Sequence, residues 1–125
     1  MDETLKKQLE ITACKVRLGI LEGVFNAKSG HPGGSLSIAD LLTYLYFAKM
    51  NVYPDKPEEP ERDRLVLSKG HTAPALYATL AEKGFFPKEE LKSLRHIGAM
   101  LQGHPCISIP VSYTHLRAHE TAANL

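Results

Sequence analysis

Three Gly-His dipeptides, Gly30-His31, Gly70-His71 and Gly103-His104, each fall where the local signals change from one element to the next. Glycine lets the backbone turn sharply and approach a ligand, and the imidazole beside it donates, accepts or carries a proton near neutral pH. That placement predicts one site assembled from three loops. Two of the dipeptides continue into proline, at His31-Pro32 and His104-Pro105. Proline fixes its own φ and drives the preceding residue toward extended backbone, so His31 and His104 read as rigid loop residues. A single loop histidine is more often a solvated or turn-stabilising group than a catalytic one; the shared glycine is what sets the trio apart.

His71 has the strongest local context. Arg64 to Ser68 is a short apolar run ending at Lys69-Gly70-His71, and Pro74 to Gly84 holds helix formers with a proline near its start and a glycine at its end. A strand-to-helix turn offers unpaired backbone N–H groups and a positive dipole end, which suit a phosphate or diphosphate. Such a turn also serves as a plain connector, and neither Gly-x-x-x-x-Gly-Lys-Thr nor Gly-x-Gly-x-x-Gly occurs. Three imidazoles can hold a catalytic zinc, but these lack short helical spacing and a recognisable carboxylate shell, so no metal ligand is assigned. Neither Cys14 nor Cys106 has a local activator.

The elements that must position these loops follow from periodicity. Leu5, Leu9, Ala13, Val16, Ile20, Val24 and Ala27 recur at steps of three and four, one face of a long helix that Lys28 to Gly34 ends. Ser37 with Asp40 resembles a capping box opening a second helix over Ile38 to Ala48, apolar nearly all round and therefore expected to be buried in a core or subunit interface. Pro54, Pro57 and Pro60 among alternating charges make 51–64 a solvated loop. After the strand, turn and helix of 64–84, a short helix is expected from Pro87 to Arg95, with acids early and cations late. Strand, turn and helix in succession are the unit of an α/β fold.

Bulk properties narrow the classes. A chain of 125 residues, 43% hydrophobic and 23% charged, suits one modest soluble domain. Its net charge of +1 gives no electrostatic footprint for nucleic acid or an anionic membrane. No apolar run approaches a membrane span, no secretory h-region opens the chain, and two isolated cysteines make no disulfide framework; a cytoplasmic location is expected.

Lys28-Ser29-Gly30-His31-Pro32-Gly33, Asp63 to His71 and Gly103-His104-Pro105, in this order and at these separations, closely resemble the N-terminal part of transketolase over about residues 5 to 110. The residues between them are most similar to the split form, whose two halves are separate polypeptides. The resemblance implies an α/β thiamine-diphosphate-binding domain, a Rossmann-like parallel sheet with a helix-rich N-terminal part, here incomplete. It implies transfer of a two-carbon ketol unit from a ketose phosphate to an aldose phosphate. The implied partners are sugar phosphates, a homo- or hetero-oligomer, and a C-terminal subunit. Carried over by position, Gly70 and His71 would contact the diphosphate, while His31 and His104 would meet the donor's hydroxyls and move protons beside the thiazolium carbon. The divalent metal, Mg or Ca, would bind a Gly-Asp-Gly stretch and a later asparagine that have no match here, and the activating glutamate belongs to the other domain. The chain alone should not turn over. Two further readings are a related thiamine-diphosphate enzyme, such as a deoxyxylulose-phosphate or dihydroxyacetone synthase, and a non-catalytic fragment.

The resemblance covers a domain part over 1–110 and stops at Pro110. Val111 to Thr121 instead matches a translated transposon-end adapter of sequencing libraries, so 111–125 is expected to be a non-native tail, and its His115 and His119 receive no role. Helices built to cover a larger sheet would expose apolar faces in such a chain, and poor solubility is expected.

Overall fold

The computed structural model describes residues 2–28, 32–68 and 72–94, together with the backbone of 113–115. The expected long helix is α1, Glu3–Ala27. Asp2 caps it by accepting the Leu5 N–H at 2.7 Å, Glu3 suits the positive dipole end, and Lys28 in the left-handed region (φ 55°) closes it. Ala13, Val16, Ile20 and Gly23 are buried, and the rest of the predicted stripe, Leu5, Leu9, Val24 and Ala27, is partly so.

The next stretch departs from expectation. Pro32–Ser37, the last part of it expected to open the next helix and the rest read as loop, forms a short helix, α2. Proline's preset φ suits a first helical position, and α2 packs on its neighbours despite two glycines. Ser37 therefore has helical backbone and cannot cap the next helix; its Oγ donates to the Gly34 carbonyl at 2.7 Å. Ile38 precedes α3, Ala39–Tyr44, without a side-chain cap, and Asp40 pairs with Arg17 of α1 instead of completing a capping box. The run ends in a π-helical turn, Leu45–Lys49. It is not buried all round: Ala39, Leu42, Thr43 and Tyr46 face the core, while Leu41 and Tyr44 are exposed.

The 51–64 loop is present as expected and is clipped at its ends. The Asp63 N–H donates to the Asn51 carbonyl at 2.8 Å, and the Asn51 N–H donates to Asp63 Oδ2 at 2.6 Å. Strand β1, Leu65–Leu67, comes after it, and then α4, Ala73–Lys83. Gly84 ends α4 in the left-handed region (φ 106°), and its N–H bonds the Leu80 and Ala81 carbonyls at 3.1 Å. The last short helix is a 3₁₀ turn, Lys88–Ser93, with Pro87 before it. Lys88 reaches back to Glu82 of α4 at 2.8 Å.

Helix α4 is the centre of the packing. Every residue from Ala73 to Ala81 is buried, with α1, α2, α3 and the 3₁₀ turn around it. Gly19 of α1 permits the closest approach, since a Cβ there would lie 3.0 Å from Ala78 Cβ. Tyr46 and Phe85 meet edge to face, centroids 6.4 Å apart. Strand β1 pairs in parallel with β2, Tyr113–His115, in the register Leu65 to Tyr113 and Leu67 to His115. Both strands thus end at one edge of the sheet, and β2 falls within the stretch that the sequence sets apart at Val111. Leu67 is buried and Val66 is 50% exposed, so one face of the pair is covered and the other open. Parallel sheets in α/β domains are covered on both faces, and this helix-rich chain carries such a domain in part.

Candidate functional site

Strand β1 and helix α4 are described up to Ser68 and from Thr72, and residues 69–71, which link them in sequence, lie outside the described residues. The start of α4 follows the carboxyl end of a parallel strand in sequence, the edge at which open α/β sheets bind ligands. Thr72 and Ala73 at that start are completely buried. The Thr72 side chain makes no capping hydrogen bond, and Pro74 in the first turn of α4 has no N–H to offer. A buried helix start concentrates positive dipole in a place of low dielectric. An anionic group of diphosphate type fits that chemistry, and Gly70 and His71 sit two and one residues before Thr72 in sequence.

The residues singled out by sequence, His31, Gly70, His71 and His104, lie outside the described residues, as does Gly103. What the fold provides is the frame for two of the three loops. Residues 29–31 join α1 to α2, residues 69–71 lead from β1 to α4, and α2 packs directly on α4. The helices that begin just after His31 and His71 are therefore neighbours.

One buried polar residue had no sequence signal. Ser35 of α2 is fully buried with its Oγ unpaired among the described residues, a costly state for a hydroxyl. Within Gly-Gly-Ser-Leu it reads only as part of a turn. Among the described residues no group of histidine, cysteine, aspartate or glutamate is placed to hold a metal ion. No described helix is long and apolar enough to cross a membrane. Burial pushes the Tyr46 phenol above its ordinary range, but that ring lies in the core beside Phe85.

Helices packed around a buried α4 that follows a parallel strand define the class as a partial α/β domain. Within that class the sequence matches, over residues 8–114, the family described as transketolase, thiamine diphosphate binding domain. The chain belongs to this family. It is 50% identical over 102 residues to an apulose-4-phosphate transketolase subunit of Phocaeicola vulgatus, an alignment covering 82% of this chain and 36% of that protein. It is 52% identical over 96 residues to 6-deoxy-6-sulfo-D-fructose transketolase subunit SqwG of a Clostridium species, covering 77% and 35%. The transketolase structure from Campylobacter jejuni superposes with a TM-score of 0.77 at 35% identity, over 89% of this chain and 17% of that one. The chain thus spans about a third of the length of the subunit-type relatives it matches.

Proposed function

We propose that this chain is the cofactor-diphosphate-binding part of a split transketolase, acting with a separate C-terminal subunit to move a two-carbon ketol unit between sugar phosphates. The observation that carries the reading is the completely buried start of α4, Thr72 and Ala73, immediately after Gly70-His71 in the sequence. In this reading the α4 N–H groups, Gly70 and His71 hold the diphosphate of thiamine diphosphate. His31 and His104, each rigidified by the proline after it, meet the donor's hydroxyls and move protons, a task suited to imidazoles near neutral pH. When bound, the cofactor supplies the nucleophilic carbon and electron sink that ketol transfer needs. The divalent metal is held by residues supplied elsewhere in the whole enzyme. The subunit designations of the two bacterial relatives support the split arrangement. The compartment is the cytoplasm.

The test is to extend this chain with the frame that follows codon 110 at its source locus, combine that N-terminal subunit with the C-terminal subunit of a split relative, and measure thiamine diphosphate retention and ketol transfer. Cofactor retention lost in H71A, with the subunits still associated, is the expected result. A stable complex that binds no thiamine diphosphate makes the chain a non-catalytic pairing fragment. We also propose that the domain occupies 1–110 and that 111–125 is a non-native tail. Sequencing the source locus across codon 110 with adapter-free primers decides this: a frame continuing into Gly-Asp-Gly supports it, and genomic DNA encoding Val111 to Leu125 and then a stop refutes it.

A further inference from the structure

A serine or threonine hydroxyl inside a helix has two local acceptors, the carbonyls three and four residues back. The described helices use both. Thr12, Thr43 and Thr79 donate four residues back, to the carbonyls of Gln8, Ala39 and Ala75, at 2.9, 2.8 and 2.7 Å. Ser37 and Ser93 donate three residues back, to Gly34 and Glu90, at 2.7 and 3.0 Å. Ser35 of α2 stands apart. It is completely buried, yet its Oγ has no partner among the described residues, which include Pro32, three residues back. Full burial excludes solvent as the partner, and equally a surface docked from outside. The local acceptor that remains is the carbonyl four residues back, which belongs to His31.

We infer that Ser35 is a positioning residue for His31: in the enzyme with its ligands bound, the Ser35 hydroxyl donates to the His31 carbonyl. The inference rests on the reading of His31 as a proton-moving group at the donor. A carbonyl oxygen has two lone pairs, so that of the residue before a helix can accept a hydroxyl beside the first intrahelical N–H. Pro32 already restricts the His31 backbone from one side. The hydroxyl ties the peptide plane between His31 and Pro32 to α2, which packs on α1, α3 and α4. The imidazole hangs from the Cα at the edge of that plane, so its reach toward the donor is governed by a packed helix. A misplacement of about 1 Å can cost about a hundredfold in rate, and loss of one tether with the ring retained is expected to cost less. The hydroxyl that destabilises the unloaded chain is thus satisfied when the site is filled.

The experiment is a double-mutant cycle in the assembled enzyme, reading kcat/KM for the donor ketose phosphate beside the thiamine diphosphate dissociation constant. S35A should lower kcat/KM about tenfold and leave the dissociation constant within about twofold, with the urea midpoint of the unloaded subunit no lower than in wild type. In an H31A background the same change should have no further effect, because the group it positions is gone. S35T keeps a hydroxyl of the kind that Thr43 and Thr79 use in buried positions and should recover most of the loss. The H31A cycle decides the question if the added methyl prevents folding. Full kcat/KM in S35A, an additive loss in H31A/S35A, or a folded S35T as slow as S35A would overturn the inference. So would a loss of stability and cofactor affinity that matches the loss of rate, the mark of a merely structural serine. Unchanged kcat/KM in H31A would overturn the role of His31 together with this inference, whereas a slow H31A beside a normal S35A would overturn this inference alone.

Discussion

Gly19 and Gly23 occupy the same helix, one turn apart, and their replacement by alanine should move stability in opposite directions. Both changes remove a mid-helix glycine, a gain of about 0.5–1 kcal/mol. At Gly23 the new methyl meets Leu94 Cδ2 at 3.3 Å, the far end of a flexible side chain that can yield, so G23A keeps most of the gain. At Gly19 it meets Ala78 Cβ at 3.0 Å and Leu91 Cδ1 at 3.4 Å. Carbon atoms prefer roughly 3.5–4.0 Å, and Ala78 Cβ is fixed to the α4 backbone, so α1 and α4 must separate. Such overpacking costs about 1–3 kcal/mol, leaving G19A destabilised by about 1 kcal/mol and the two variants about 2 kcal/mol apart. Urea unfolding of the full chain monitored by circular dichroism measures both, and A78G in the G19A background should recover the loss. Equal stabilisation by G19A and G23A would refute the claim that α1–α4 contact is set by the size of residue 19.

Three other outcomes rest on particular groups. Burial raises the Tyr46 phenol, so the folded chain holds that proton more tightly than the unfolded one; the associated stability is complete below about pH 10 and declines above it. The stability of wild type relative to Y46F should therefore be constant up to about pH 10 and fall beyond it, and a difference independent of alkaline pH would contradict the burial effect. D63A removes the carboxylate end of the 51–63 clip while the backbone bond to Asn51 remains; a loss of about 1 kcal/mol and faster proteolysis within the loop are expected, and an unchanged digestion pattern counts against the clip. In the assembled enzyme, H71A should raise the thiamine diphosphate dissociation constant at least about tenfold with H31A leaving it nearly unchanged, and equal effects on binding would dissolve the division of roles.

What the sequence conveyed was set by periodicity and punctuation. The α1 stripe, the 51–64 loop and the β1–α4 junction were legible because Leu5 to Ala27 keep helical spacing, and because Pro54 to Pro60, Pro74 and Gly84 mark breaks. Helix α2 was hidden, since Pro32-Gly33-Gly34 signals a turn and only packing against α1 and α4 makes it a helix. The capping box failed for the same reason: Ser37 was already helical. Ile11, Leu18, Leu21 and Phe25 satisfy helical spacing as well as Ala13, Val16 and Ile20 do, and nothing local says which stripe faces inward. For the candidate site, residue types and their attachment to elements were readable, but the burial of Thr72 and Ala73 is a tertiary property. In isolation Thr72-Ala73-Pro74 looks like a solvated helix start.

The enclosure of α4 bears on how quickly a guest could be accommodated at its first turn. Nine consecutive buried residues, tied internally by the Thr79 hydroxyl donating to the Ala75 carbonyl at 2.7 Å, make this segment the slowest expected to exchange its amide hydrogens. Dipoles held that rigidly do not have to rotate when a charge arrives. Water would reorient around an anion at a free-energy cost; the peptide dipoles of a helix packed this tightly are already aligned, so attraction is gained without reorganisation.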